Sequence, residues 1–502
     1  MLRLKPVAFG LALTCAGIAS PALADLTAAE VWQKLESSLE TYGRDVTSVQ
    51  TPNADGLSVR DLEMTLPLDQ GAATVTVSVP HIVLTEADAD TVSISIPETM
   101  QMTVAGTSSF GAQQIAVFDM DYSDLGIDVN GSLDDLTMDL IAPSLRAVMT
   151  KLTIDGEVAP DAQADILLSD LSGSATIGTA TSTVINKDLT IARMESNVTI
   201  PASIANSGFN IESDIENLGV DVSLNLPTGF NAEDASPLSA PGVELTSEMS
   251  FARGNTQYEV TQNGTTVSGA LENENGSYTV EIADQTMTYG VSLENVQSAM
   301  SRPGMRQPVA SSTQETAFRV TAPIALSDAP KDIGFALNLK ELTFSEEFWA
   351  AVDPNAELPR DPANIDMSIA GKMTPQDLVS VQGGPSPFAL LRNMNALDIE
   401  QFSIDAVGAL VTAVGGFTFD KSDVATFNGI PKPLGEATFT IKGANGLLDN
   451  LVALGIMGGQ DVAGARLMMS MFTVPGDGPD TLTSTIRVNE QGHVLANGMR
   501  IQ

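Results

Sequence analysis

Two histidines, one cysteine and a large excess of carboxylates are the raw material for chemistry in this chain of 502 residues. His81 follows Pro80 and His493 follows Gly492, so each reads as a surface histidine at a strand end. Neither Gly173-Ser174 nor Gly384-Pro385-Ser386-Pro387 carries the flanking glycines of a nucleophile elbow. No serine lies three residues before a lysine, and no phosphate-cradling Gly-x-x-x-x-Gly-Lys or His-Glu-x-x-His occurs. Calcium asks only for clustered oxygens, and Asp119, Asp121, Asp124 and Asp128 lie close together, as do Glu86, Asp88 and Asp90. Neither run has the glycine and glutamate positions of a helix-loop-helix calcium site, and Asp119 and Asp121 alternate with Met120 as strand residues facing solvent would. A pair of carboxylates for glycoside hydrolysis can be distant along the chain and meet only in space, so that chemistry stays open. Against it stands an aromatic content of 5%, too low to furnish sugar-stacking platforms readily.

The most suggestive binding feature is apolar. Met468, Met469, Met471 and Phe472 cluster in one short segment, and flexible thioether side chains suit irregular apolar ligands or partners. The competing reading is a helix that simply packs on a sheet. The 63 acids against 24 Lys and Arg give a net charge of −39, which argues against nucleic acid and anionic membrane surfaces, since both need clustered cations. The acids are spread along the chain and read as a solvated, self-repelling surface.

The elements that must position these groups are mostly strands. Residues 1–24 have the order of an export signal: Arg3 and Lys5, an apolar run from Val7 to Ile18, then Ala22-Leu23-Ala24. Cleavage is expected before Asp25, with the bacterial periplasm as destination, and Cys15 leaves with the signal. No later segment is long and apolar enough to span a bilayer as a helix. Residues 25–43 form a helix in which Thr27 and Glu30 make a capping box and Val31, Leu35 and Leu39 share a face. Then the period changes to two, as in Val75, Val77 and Val79 or Val92, Ile94 and Ile96. Hairpin turns are expected at Asn130-Gly131, Asn263-Gly264 and Asn275-Gly276. Related phrases recur at Asp61-Leu62-Glu63-Met64, Asp135-Leu136-Thr137-Met138, Asn217-Leu218-Gly219-Val220 and Ala396-Leu397-Asp398-Ile399, each reading as one half-buried strand.

The expected fold is therefore mainly β, a long curved antiparallel meander with an N-terminal helix and a C-terminal helical hairpin followed by a β-hairpin. A first β-rich region covers 44–300, with a loop near 231–242, and a linker at 301–316 leads to a second region, 317–502. In the second region, 344–352 and 374–381 read as helices, 445–457 and 461–472 as the helical hairpin, and 481–488 with 493–501 as the closing strands. Trp32 and Trp349 fall in amphipathic helices, where core packing is the default.

The chain resembles an uncharacterised family of secreted proteobacterial proteins, domain of unknown function 2125. The residues that carry the likeness are Val31-Trp32-Gln33-Lys34-Leu35, Phe348-Trp349-Ala350-Ala351-Val352-Asp353-Pro354 with Arg360-Asp361-Pro362, Gly446-Leu447-Leu448-Asp449-Asn450, and Gly478 to Thr483 with Gly492 to Gly498. More loosely it is similar to AsmA-like envelope proteins, which build lipid-associated β-grooves. The resemblance supplies no reaction, cofactor or catalytic residue. Together these readings point to a non-enzymatic protein that binds a lipid or other apolar ligand in envelope maintenance. The alternatives are an envelope scaffold with a protein partner and a carboxylate hydrolase.

Overall fold

The computed structural model describes residues 26–42, 45–68, 73–88, 90–96, 99–107, 113–178, 183–202, 207–227, 230, 237–375 and 391–502. The export signal, the 384–387 segment and most of the helix expected over 374–381 lie outside them; Thr374 and Pro375 are not helical. The protein is mainly β, its strands are antiparallel, and the chain divides into two compact units, Met1–Ala270 and Leu271–Gln502. The boundary falls within the strand Thr265–Ala283. It does not fall at 301–316, where Thr286–Ser301 and Val309–Pro323 are instead joined by a turn and pair directly, Met300 opposite Val309.

The first unit opens with helix α1, Ala28–Tyr42. Its start is fixed as the capping box requires: Glu30 N–H donates to Thr27 Oγ1 at 3.3 Å, and Thr27 N–H donates back to Glu30 Oε2 at 3.3 Å. Glu86, from the strand Ala73–Asp88, accepts a further orphan amide, that of Ala28, at 3.0 Å. Val31, Trp32 and Leu35 are buried against Leu57, Val59, Leu84, Val92 and Val129, forming the core of this unit. Further along, five long strands pair in sequence order: Asp135–Ile154, Gln163–Gly178, Thr183–Ile200, Ser207–Leu226 and Glu244–Gln262.

Several long strands contain a residue in the left-handed region, where the local hydrogen-bonding side chains of Asp and Asn are best tolerated. Asp61, Asp170, Asn217, Asn275 and Asn295 have φ between 42° and 52°, and Glu341 has φ 53°. The apolar alternation reverses at these points. In Gln163–Gly178 the apolar series runs through Ala164, Ile166 and Leu168 before Asp170, with Leu167 on the other side, then through Leu171, Ala175 and Ile177 after it. Ser207–Leu226 does the same about Asn217, from Phe209, Ile211 and Ile215 to Leu218, Val220, Val222 and Leu224. This corrects the expected turn at Asn275-Gly276: Asn275 kinks the interior of Thr265–Ala283, since a positive φ serves a bend as well as a turn. Asn130-Gly131 also lies within a strand, Gly126–Ser132, and the turn is at Leu133-Asp134. Only Asn263-Gly264 of the three is a hairpin tip, with φ 51° and 77°.

The second unit continues as an antiparallel ladder through Thr286–Ser301, Val309–Pro323, Lys331–Phe344, Ala363–Met373, Met394–Ala406, Ala409–Asp420, Lys432–Lys442 and Thr481–Val488. Helix α2, Glu346–Val352, ends on Asp353, which is buried and accepts the amides of Glu357 and Leu358 at 2.9 and 3.0 Å. Arg360 lies 5.3 Å over the buried Trp349 ring and pairs with Glu346, which locks this corner. The helical hairpin is present as α3, Ala444–Ala453, and α4, Gly459–Phe472. Asp480 accepts the Asn445 and Gly446 amides at the start of α3, and Arg466 of α4 reaches Asn445 and Asp449. The closing strand expected over 493–501 is two short ones, Val494–Ala496 and Met499–Arg500, because Asn497-Gly498 turns left-handed between them.

Candidate ligand-binding face

One face of the five long strands is an apolar grid in direct register. Its first row is Leu136, Ile177, Ile185, Leu224 and Leu245, and its second is Met138, Ala175, Lys187, Val222 and Ser247. The third is Leu140, Gly173, Leu189, Val220 and Met249, and the fourth is Ala142, Leu171, Ile191 and Leu218. Paired residues in register share a side of the sheet, so the rows form one mostly apolar surface that Lys187 and Ser247 interrupt. The first and fourth rows hold buried members: Leu136, Ile177 and Ile185 at one end, Ala142, Leu171, Ile191 and Leu218 at the other. Between them Met138, Leu140, Leu189, Val220, Val222 and Met249 are only half-buried. Gly173 keeps the middle close-packed, for a Cβ there would stand 2.4 Å from the Asp188 carbonyl oxygen.

The opposite face of the same strands is acidic. Asp139, Ser174, Asp188, Asp221 and Glu248 form a row in register, with Ser174 Oγ–H donating to Asp188 at 2.6 Å. Lys187 is the one charged residue in the four apolar rows, and it sits near their centre. Burial among these aliphatic neighbours pushes its ammonium down to about 8. Sequence reading passed over Lys187, although the signal is there: in Ile185-Asn186-Lys187-Asp188-Leu189-Thr190-Ile191 the lysine takes an apolar position of the alternation.

Beyond Asp170 and Asn217 the strands carry a polar depression of about 560 Å³, lined by Arg146, Asp165, Glu195, Glu212, Asp214 and Asn255 among others. Asp165, Glu195 and Asp214 are engaged by cations, and Glu212 accepts from Asn210 Nδ2 at 3.4 Å. Arg146 makes a two-pronged pair with Asp165, holding that carboxyl below its usual range, and Arg193 pairs with Asp214 at 2.5 and 3.0 Å. Carboxylates paired in this way tie neighbouring strands together; being surface pairs, each contributes about 0–1 kcal/mol. Among the described residues no group of three acids, histidines or cysteines is placed to hold a metal ion. The expected acidic runs are spent on local bonds: Asp119 accepts from Gln101 Nε2, Asp128 from Ser93 Oγ, and Glu86 from α1.

His81 is half-buried, and its Nε2 lies 2.8 Å from Ser58 Oγ, a contact between neighbouring strands that the sequence spacing did not suggest. Its Nδ1 has no hydrogen-bond partner among the described residues, so the pair lacks the orienting group that a nucleophilic serine needs. His493 closes a turn, its N–H donating to Asn489 Oδ1.

The methionine cluster lies in the second unit and does not share one environment. Met468 and Met471 are 61% and 56% exposed, and Leu467 beside them is 64% exposed, whereas Met469 and Phe472 are half-buried. The Phe472 carbonyl accepts from Ser484 Oγ and Asn497 Nδ2, tying the end of α4 to the sheet. That unit also has a half-buried apolar row, Val291, Phe318, Leu337 and Met367 in register, with Phe318 edge-on to Tyr289 and Phe335. No helix among the described residues is long and apolar enough to cross a membrane.

Residues 221–501 match the family described as an uncharacterized protein conserved in bacteria, DUF2125, and the chain belongs to that family. The match takes in Phe348–Pro362, Gly446–Asn450 and the C-terminal hairpin, while Val31–Leu35 lies ahead of it. No curated protein and no solved structure matches the chain.

Proposed function

We propose that this member of the DUF2125 family is a non-enzymatic binding protein that holds the acyl chain of a lipid on the apolar face of strands 135–154 to 244–262. One observation carries the reading: in the middle rows of that face Met138, Leu140, Leu189, Val220, Val222 and Met249 stand in register yet only half-buried. Strand spacing makes the face about 20 Å in each direction. Covering it with hydrocarbon gains about 0.8 kcal/mol for each methylene removed from water. Aliphatic and methionine side chains without aromatic platforms suit a flexible chain better than a sugar ring. The export pattern from Arg3 to Ala24 supports action in the bacterial envelope, and the dispersed acids suit a protein that stays off anionic bilayers.

The test is purification of the exported protein from its native compartment, followed by solvent extraction and lipid mass spectrometry. Stoichiometric lipid that is lost from a Val220→Asn, Val222→Asn double variant supports the reading; a protein that carries no lipid and takes up none added would end it. A second reading, an envelope scaffold, is favoured by exposed Leu467, Met468 and Met471 on the firmly tied α4. It predicts a protein cross-linked through residues introduced at those positions.

A further inference from the structure

We propose that the outward side of the helical hairpin formed by α3 and α4 docks on the surface of a lipid bilayer, and that the bilayer it fits is one without net charge. This stands apart from the acyl-chain reading of the first unit, because it concerns a different surface in the second.

Helix α4 is apolar on two sides. Val462, Ala465, Met469 and Phe472 recur at helical spacing on the side that is buried or half-buried, and the Phe472 carbonyl is tied to Ser484 and Asn497. Ala463, Leu467 and Met471, with Gly464 and Met468 beside them, recur at the same spacing on the other side, and all five are exposed. The connection between the helices continues the pattern. From Leu451 to Gly459 no side chain is polar, and Ile456 within that run is 62% exposed. Loops that face water are ordinarily built from polar residues, so an apolar tip on a hairpin with an apolar stripe marks a surface that is covered in use.

Size and charge decide what covers it. A helix of 14 residues is about 21 Å long, and a stripe about 10 Å wide along it offers about 200 Å². A stable protein interface buries about 800 Å² on each partner, so a second copy or a globular partner gains too little here. A bilayer asks only for a few apolar side chains lying in the plane of its head groups. Between Gly443 and Gly476 the charged residues are Asp449, Asp461 and Arg466 alone. Arg466 pairs with Asp449 at 2.7 Å, and Asp461 accepts the Gly458 N–H at 3.1 Å. The hairpin therefore brings no spare cation to an anionic lipid, and the −39 of the whole chain repels both such a surface and a second copy. Zwitterionic head groups over hydrocarbon match a stripe of Leu, Met and Ile whose few charges are already engaged.

The experiment is flotation of the exported protein, purified whole, with vesicles of dioleoylphosphatidylcholine and with vesicles in which dioleoylphosphatidylglycerol replaces part of it. Wild type should float with the phosphatidylcholine vesicles, and a Leu467→Ser, Met468→Ser, Met471→Ser variant should need at least about 10-fold more lipid for half-binding. Ile456→Asp leaves α4 itself unaltered and should also weaken flotation; it decides the matter if circular dichroism shows the triple variant misfolded. Phosphatidylglycerol should reduce binding at low salt, and added salt should restore it. The Val220→Asn, Val222→Asn variant should float as wild type does, which keeps this result separate from the fate of the acyl-chain reading. Failure of wild type to float, or flotation untouched by the hairpin substitutions, overturns the proposal. Tighter binding to the phosphatidylglycerol vesicles overturns the uncharged surface. Sedimentation velocity without lipid covers the other occupant: a dimer that the triple variant abolishes would assign the stripe to a second copy and overturn the docking on lipid.

Discussion

The first unit contains two apolar regions built from the same strand pattern with opposite fates. At one end α1 lies across Leu57, Val59, Leu84, Val92 and Val129, and these are buried to 3% exposure or less. Along the same sheet, Met138, Leu140, Leu189, Val220, Val222 and Met249 stay half-exposed. Val and Leu are used in both places, so hydrophobicity is not what separates them. A covering helix is. Alternation makes a strand amphipathic, but a core needs a second layer, and where no helix of the described residues in this unit supplies one the apolar face stays half-exposed.

The strongest way to break this contrast is to remove the cover. Trp32 is the largest α1 side chain in the core, and Trp32→Ala should cost about 3–5 kcal/mol of unit stability. The check is the denaturant midpoint by circular dichroism; a midpoint unchanged from wild type would mean that α1 is not what makes this end a core. Next comes one substitution at two places. Leu84→Ala removes a fully buried side chain and should cost about 2–5 kcal/mol, whereas Leu189→Ala, in the uncovered region, should cost less than about half as much. If the two losses are equal, the uncovered rows are packed as a core and the distinction collapses. With acyl ligand present at saturation, Leu189→Ala should become the more harmful of the two for binding, read as a loss of affinity at unchanged fold.

Much of this architecture is legible in the chain. The capping box at Thr27 and Glu30, the α1 face of Val31 and Leu35, the helical hairpin and the period-two strands all follow from local rules, and the hydrogen bonds realise them. What local rules miss is context. Asn263-Gly264 and Asn275-Gly276 are the same dipeptide, yet one turns a hairpin and the other kinks a strand, because only the pairing partner on either side decides between them. The phrases beginning Asp61-Leu62 and Asn217-Leu218 were visible as repeats, but each starts at a left-handed residue in mid-strand, where the apolar series changes parity. The methionine cluster was the obvious site candidate by composition, whereas Lys187 is a single residue whose meaning lies in four neighbours, Ala175 and Val222 from two other strands and Ile185 and Leu189 from its own.

Lys187 also gives the contrast a pH signature. Its folded-state affinity for the proton is lowered to about 8, below the ordinary lysine value, so between those two values the unfolded chain binds more protons than the folded one. Stability therefore rises as pH climbs from about 8 toward about 10, through this group alone. Lys187→Met should remove that rise and leave a flatter profile in urea unfolding at a series of pH values. A wild-type profile that falls steadily over the interval, with no difference from Lys187→Met, would place the lysine in water.

The smallest expected effect probes how firmly the cover is held. Thr27→Ala deletes the hydroxyl that accepts the Glu30 amide at 3.3 Å and donates to Glu30 Oε2 at 2.6 Å, so both halves of the capping box are weakened together. The loss should be about 1 kcal/mol, since water replaces part of what is removed and Glu86 still holds the Ala28 amide. That is too little to unfold the unit, but it acts on α1 where the helix meets the core. Hydrogen exchange should therefore quicken in α1 and remain unchanged in the strands Gln163–Gly178 and Thr183–Ile200, which do not carry α1. Equal acceleration in both would mean that the covered and uncovered regions open as one, and that the helix is not the element that distinguishes them.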